Sequence, residues 1–248
     1  MKTILVTGAT SGFGKATAEL LAKDGHRLLL VARRGEELEA LKSSLKTDVH
    51  IATLDITNRD KVADFFDSLP SDFRDIDVLV NNAGLARGMD PAQDASLDDW
   101  QQMVDTNIMG LLYMTRQVLE IMKQRGAGLI INLGSVAAHV PYKGGNVYGA
   151  TKAFVAQFSR GLRTDVFGTN IKVTNIEPGA AATGFAGVRF DDEQKGQEFY
   201  SGWQPLTSQD IAATIDWVIQ QPAHVNIDNV EIMALQQTSA GMVIDRSK

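Results

Sequence analysis

MKTILVTGATSGFGKATAELLAKDGHRLLLVARR (residues 1–34) decides how the rest of the chain is read. A short apolar, β-rich run from Thr3 to Val6 is followed by Gly8, Gly12 and Gly14. A helix-like segment from Lys15 to Asp24 and a second strand pattern from Arg27 to Ala32 complete a βαβ unit of the expected length. Glycines let the backbone approach a pyrophosphate, and the helix N-terminus offers it unpaired N–H groups and a partial positive charge. The spacing is G-x-x-x-G-x-G rather than the commoner G-x-G-x-x-G. Such glycines also build plain tight turns, but the strand before them and the helix after them favour nucleotide binding.

Beyond this unit the same alternation recurs. Strands are expected at 3–7, 27–32, 49–54, 77–81, 128–133, 171–176 and 229–234, and helices at about 12–24, 35–46, 58–69, 97–124, 145–167 and 208–220. Apolar strands such as VLV (78–80) and LIINL (129–133) between amphipathic helices predict an α/β fold with a Rossmann-type doubly wound parallel sheet in three layers. Gly8, Arg33, Asp55, Asn81, Ser135 and Pro178 each stand at the end of a different expected strand. Ligands bind beyond the carboxyl ends of strands in such sheets, so these separated positions converge on one site.

The stretch INLGSVAAHVPYKGGNVYGATKAF (131–154) supplies chemistry. Tyr148 and Lys152 fall one turn apart on one face of the expected helix, with Ser135 upstream. A phenol titrates near about 10 and is a poor acid–base group at neutral pH, whereas an adjacent ammonium favours the phenolate. A serine hydroxyl from the preceding loop can hold a carbonyl or alcohol oxygen while the tyrosine moves its proton. Tyr-x-x-x-Lys alone is weak evidence and gains its value from the glycine-turn unit.

With these pieces in place, the chain resembles the short-chain dehydrogenase/reductase family from about residue 2 to about residue 235. The resemblance rests on TGATSGFG (7–14), LDIT (54–57), NNAG (81–84), Asn107 in VDTNIMG, Ser135, YGATK (148–152) and PGAAAT (178–183) in family order. Within the family it is most similar to the bacterial NADP-dependent 3-hydroxy acid dehydrogenases, which act on L-allo-threonine, serine and 3-hydroxypropionate. NNAGLARGMDPA, PYKGGNVYGATKAFV, VTNIEPG, VRF and PAHVNI support that closer likeness.

The resemblance implies catalytic roles for Asn107, Ser135, Tyr148 and Lys152, with Asn107 ordering a water that links Lys152 to solvent. It implies cofactor contacts from Gly8, Thr10, Ser11, Gly12, Phe13, Gly14, Asp55, Ile56, Asn82, Ala83, Tyr148, Lys152, Pro178, Gly179 and Thr183. Asn107 has an alternative reading as a polar residue that kinks or caps its helix, and Asp55 as a cap for the segment at Asn58. Asn81 is expected to steady the sheet. Where an NAD-preferring chain carries an acid at the end of the second strand, this one has Arg33 and Arg34, whose guanidinium forks suit a 2′-phosphate. NADP(H) is the expected cofactor.

The segment after Pro178, at about 179–205, is expected to be a mobile lid over one single domain spanning 1–248. Arg189 is the only arginine of GAAATGFAGVRFDDEQKGQEFYSGW (179–203) and can pair with a small anion on closure. Arg87 and Lys143 are further anion-binding candidates alongside Ser135 and Tyr148. The expected activity is therefore interconversion of a small anionic aldehyde or ketone and its 3-hydroxy acid. The lid start AAATGF departs from close relatives, which keeps reduction of sulfoacetaldehyde to isethionate open. A catalytically silent NADPH-binding regulator is the alternative of another class, disfavoured because Tyr148 and Lys152 are both present.

Composition sets bounds. At 248 residues and 44% hydrophobic content the chain can bury one large core. With no cysteine, disulfides and thiolate catalysis are excluded. The four histidines, His26, His50, His139 and His224, have no ligand spacing and no apparent carboxylate cluster, so no metal is expected. The net charge of −6 argues against nucleic acid, and no apolar run approaches a membrane span. With the first strand starting at Thr3, a cytoplasmic location is expected. Family resemblance implies a homotetramer, or a dimer, built through the helices at 97–124 and 145–167, where Met109, Leu111, Leu112, Phe154 and Phe158 suit an interface or a core. The last residues, MVIDRSK (242–248), are expected to form a loose tail.

Overall fold

In the computed structural model, which describes residues 1–239 and 243–246, seven strands form one parallel sheet. The chain runs β1 (Thr3–Thr7), α1 (Gly12–Lys23), β2 (Arg27–Ala32), α2 (Gly35–Ser44), β3 (Val49–Thr53), α3 (Arg59–Asp67) and β4 (Val78–Asn81). It continues through α4 (Leu97–Val104), α5 (Leu111–Arg125), β5 (Ala127–Leu133), α6 (Asn146–Asp165) and β6 (Asn170–Pro178). A short strand β7 (Ala181–Ala182), helices α7 (Phe185–Phe190) and α8 (Glu193–Phe199), β8 (Leu206–Thr207), α9 (Ser208–Ile219) and β9 (Asn229–Ile232) complete it. The sheet order is β3-β2-β1-β4-β5-β6-β9, so the winding reverses between β1 and β4. Both glycine turn and NNAG motif leave the sheet at that reversal, where a crevice opens beyond the strand ends.

Two apolar layers flank the sheet. Leu21, Leu38, Leu41, Ile211, Ile215 and Val218 pack with Ile4, Val6, Leu28 and Leu30 on one face. Val62, Phe65, Phe66, Met114, Val118, Met122 and Leu162 pack with Leu5, Leu29, Leu79 and Ile130 on the other. Burial on both faces explains why the strands read as continuous apolar runs. The expected three-layer Rossmann-type architecture is thus realised, with element ends moved by at most two residues.

An asparagine row crosses the sheet on the second face. Asn81, Asn132, Asn175 and Asn229 stand in register on β4, β5, β6 and β9. Asn81 Nδ2 donates to Asn132 Oδ1 and to Thr115 Oγ1, each at 2.9 Å, and Asn175 Nδ2 donates to Asn229 Oδ1 at 2.8 Å. Buried amides need such partners. Asn81 does steady the sheet, and it does so together with three other asparagines.

Two sequence expectations change, and a third segment gains detail. The helix expected over 97–124 is divided by a π-helical turn, Asp105–Gly110. That wider turn directs the Asn107 side chain back to the main chain of Leu85, whose carbonyl and N–H it bonds at 2.8 and 2.9 Å. The segment expected as a mobile lid carries two helices, α7 and α8, and within it Phe199 packs on Phe190 and Tyr200. The expected tail packs in part: Ile244 bridges to Gln237, and Arg246 donates to the carbonyls of Ser201 and Phe199. Met242, Ser247 and Lys248 lie outside the described residues.

Candidate active site

A cleft of about 860 Å³ opens at the carboxyl ends of the strands. Its floor is the glycine turn. Gly8 has φ +67°, and a Cβ there would stand 3.0 Å from the main chain of Ala83. Gly12 has φ +50°, a conformation that favours glycine. α1 starts at Gly12, and the Ser11 side chain makes no capping hydrogen bond, which leaves the first amides of the helix directed at the cleft. By contrast Asn58 caps α3, accepting from Lys61 N at 3.0 Å. Asp55 therefore is not the cap of α3; its carboxylate closes a turn with Thr57 at 2.8 and 3.0 Å and lines the cleft.

The expected residues Gly8, Thr10, Ser11, Gly12, Phe13, Arg33, Arg34, Asp55, Ile56, Asn82, Ala83, Ser135, Tyr148, Lys152, Pro178, Gly179 and Thr183 all line this cleft. Two expected residues do not. Gly14 sits behind the turn, where a Cβ would collide with the Gly8 carbonyl and, at 2.5 Å, with Asn82 Nδ2. Its role is close packing, which places the turn rather than touching what fills it. Asn82 holds the same turn, donating to the carbonyls of Thr7 and Gly8 at 2.8 and 3.2 Å. Asn107 is the second, buried at 2% exposure behind Gly84. Its amide also donates to Thr151 Oγ1 at 3.1 Å, so its side chain is committed to fixing the NNAG loop against α6.

At the end of β2 the two arginines differ. Arg34 pairs with Glu37 at 2.9 Å and donates to Thr10 Oγ1 at 2.9 Å. Arg33 is exposed at the cleft edge and, among the described residues, has no salt-bridge partner. One guanidinium thus braces the glycine turn while the other is available to an anion.

At the opposite end, Tyr148 and Lys152 lie on the first turns of α6, both buried, and Ser135 ends the loop after β5. Lys152 Nζ donates to the Leu133 carbonyl at 2.7 Å and stands 5.8 Å from the Tyr148 ring centroid. The expectation that the ammonium draws the phenol down is not met. Burial holds the Tyr148 phenol above its ordinary range, reinforced by Tyr142, while the Ser135 hydroxyl and the Arg189 guanidinium pull the other way. Burial pushes the Lys152 ammonium down to about 8.

The third wall is the segment that carries α7 and α8. Arg189, on α7, lies with its guanidinium carbon 5.5 Å from the Tyr148 ring centroid, and Phe185 packs on that ring at 5.6 Å. Arg87 lines the cleft and donates from Nε to Gln102 at 3.1 Å and from Nη1 to the Val188 carbonyl at 3.3 Å, tying the chain after NNAG to α7. Lys143 lines the cleft and is exposed. Tyr142, Tyr200, Phe185 and Glu193 also line it and were not singled out in the sequence. Burial pushes the Tyr200 phenol up to about 12. An aromatic beside a glycine pair, as in PYKGGN, was the available signal for Tyr142.

One further expectation is corrected. His139 is accompanied by carboxylates: its imidazole, Glu177 and Glu231 have ligand atoms within 4.8 Å of one another. Glu177 and Glu231 are opposite each other on β6 and β9, so only strand pairing brings them together.

Comparison with known proteins agrees with this geometry. The family model for short chain dehydrogenase matches residues 2–194. The NADP-dependent 3-hydroxy acid dehydrogenase YdfG of Salmonella typhimurium is 52% identical over 246 residues, covering 98% of this chain and 99% of that protein. Serine 3-dehydrogenase of Rhizobium radiobacter is 51% identical over 245 residues, covering 98% of each. Among solved structures, the closed form of a serine dehydrogenase complexed with NADP+ has a TM-score of 0.95 at 48% identity, covering 99% of this chain and 100% of the other. Serine dehydrogenase from Escherichia coli has a TM-score of 0.85 at 47% identity, covering 95% and 99%. The chain belongs to the short-chain dehydrogenase family.

Proposed function

We propose that the chain is an NADP(H)-dependent oxidoreductase that interconverts a small anionic aldehyde or ketone and its 3-hydroxy acid. The observation that carries the reading is the Arg189 guanidinium standing over the ring of the buried Tyr148 within one cleft. A cation beside the proton-transfer residue fits a substrate whose reacting oxygen and charged end lie a few bonds apart. The names of the close relatives point to the same substrate class and to NADP.

The residues fit the cofactor. Gly8 and Gly12 admit a pyrophosphate to the uncapped start of α1, and Arg33 would meet a 2′-phosphate. NADP(H), when bound, supplies or accepts the hydride. Tyr148 gives its proton to the substrate oxygen in reduction and takes it back in oxidation, and its burial keeps the phenol protonated beforehand. Ser135 donates to the same oxygen and holds it against the tyrosine. Lys152, anchored on Leu133, places its charge next to that pair, where it favours the phenolate once the proton has left. Arg189 holds the anionic end, and the segment 179–205 acts as the lid that brings it in. We place this enzyme in the cytoplasm as a homotetramer or dimer. Half-buried Met109 and Leu112, and the Phe154–Phe158 pair stacked at 5.8 Å on α6, support an interface there, whereas Leu111 is a core residue.

The test is NADPH consumption with malonic semialdehyde and with sulfoacetaldehyde in parallel. The expected result is a catalytic efficiency about tenfold or more higher for the carboxylate. Preference for the sulfonate would make this an isethionate-forming reductase whose altered lid start, AAATGF, has redirected the site. Tight NADPH binding without turnover of any aldehyde would leave the silent regulator standing.

A further inference from the structure

Arg189 does not reach the catalytic tyrosine unaided. Its Nη1 donates to the Tyr142 hydroxyl at 2.6 Å, its Nη2 to the Gly144 carbonyl at 3.1 Å and its Nε to the Gly88 carbonyl at 3.3 Å. The guanidinium carbon lies 5.1 Å from the Tyr142 ring centroid and 5.5 Å from that of Tyr148, so the fork is held between two phenol rings. Both carbonyl acceptors belong to glycines with left-handed backbone, φ +68° at Gly88 and +76° at Gly144. A Cβ at Gly144 would run into the main chain of Met89. The Gly88 N–H in turn donates to the Arg189 carbonyl at 3.0 Å.

Resting on the function proposed above, we propose that Tyr142 is a positioning residue for the substrate's anionic end, acting through Arg189. Its hydroxyl accepts from the arginine whose guanidinium carbon lies 5.5 Å from the ring of the catalytic phenol. Of five guanidinium N–H donors, three are spent on the protein, which leaves one on each terminal nitrogen for a carboxylate or sulfonate. The Tyr142 hydroxyl accepts from Arg189 and keeps its own proton to donate. Of the three acceptors, only this hydroxyl is a side chain that substitution can remove without touching the backbone. Removing it frees the fork to rotate about its last bonds, and the anion loses a preset partner. The same contact ties lid closure to substrate charge, because Arg189 rides on α7 while Tyr142 is fixed ahead of α6.

The test compares Tyr142→Phe, Arg189→Gln and the double variant with the parent enzyme. Substrates are malonic semialdehyde and, as an uncharged reference, propanal, each with NADPH. In Tyr142→Phe the KM for the anionic substrate should rise about tenfold with kcat changed far less, so the efficiency ratio of anionic to neutral substrate falls about tenfold. The double variant should be no worse than Arg189→Gln alone, since the hydroxyl acts through the arginine. Propionate titrated calorimetrically into the NADP+ complex gives a second readout, with a dissociation constant about tenfold weaker in Tyr142→Phe. Additive losses in the double variant, or equal losses on neutral and anionic substrates, would overturn the proposal. Parent enzyme inactive on the aldehyde acid but binding propionate in a Tyr142-dependent way would overturn the functional reading and leave the positioning role in place.

Discussion

The Lys152 ammonium is bonded to the Leu133 carbonyl at 2.7 Å and lies 5.8 Å from the centre of the Tyr148 ring. Burial in that position pushes its pKa down to about 8, against about 10.4 in an unfolded chain. Between these values the unfolded chain still holds a proton that the folded chain has shed. This residue's contribution to stability therefore rises with pH across that window, and its full penalty is present below it. The stability of Lys152→Met relative to the parent should be greatest near neutral pH and should shrink by on the order of 2 kcal/mol by about pH 10. Chemical denaturation across that pH range measures it; a difference independent of pH would contradict the burial effect.

At the far end of the cleft, Arg33 has no salt-bridge partner among the described residues, while Arg34 braces Thr10 and Glu37. Arg33→Asp should raise the KM for NADPH about tenfold or more beyond any change for NADH, because it removes a guanidinium and adds a repelling charge. Steady-state kinetics with both coenzymes decide this, and equal losses would remove Arg33 from the 2′-phosphate.

Gly14 is a packing glycine. In Gly14→Ala the new methyl meets the Gly8 carbonyl and Asn82 Nδ2, so the turn must shift. Overpacking of this kind costs about 1–3 kcal/mol, a fall in Tm of several degrees, and NADP(H) affinity should weaken with it. Calorimetry and coenzyme titration test both; unchanged affinity would mean the turn tolerates the shift.

Asn107→Ala leaves the Leu85 N–H and carbonyl and the Thr151 hydroxyl short of a partner in a buried place. A loss of about 2 kcal/mol or more is expected. A variant of full stability that loses only turnover would instead favour the water-ordering reading of this residue.

The chain announces its sheet clearly because strands buried on both faces have little room for polar residues, and because glycines mark the turn at β1. Site residues at strand ends, from Gly8 to Pro178, follow from topology alone. The π-helical turn at 105–110 was not legible, since one widened turn leaves no periodic trace and Asn107 looks like any poor helix former. The grouping of His139 with Glu177 and Glu231 also escaped notice, because it depends on β6 pairing with β9. Tyr142 was passed over for Lys143, as charge was sought where an aromatic hydroxyl holds a charge contributed by α7.

The central claim is that Tyr148 is the proton donor of a reductase, and Tyr148→Phe tests it most directly. NADPH titration and single-turnover reduction of malonic semialdehyde would be measured on the same preparation. The account predicts a fall in rate of about a thousandfold or more with NADPH affinity within about twofold of the parent. A variant that binds NADPH and still reduces the aldehyde within about tenfold of the parent rate would contradict it.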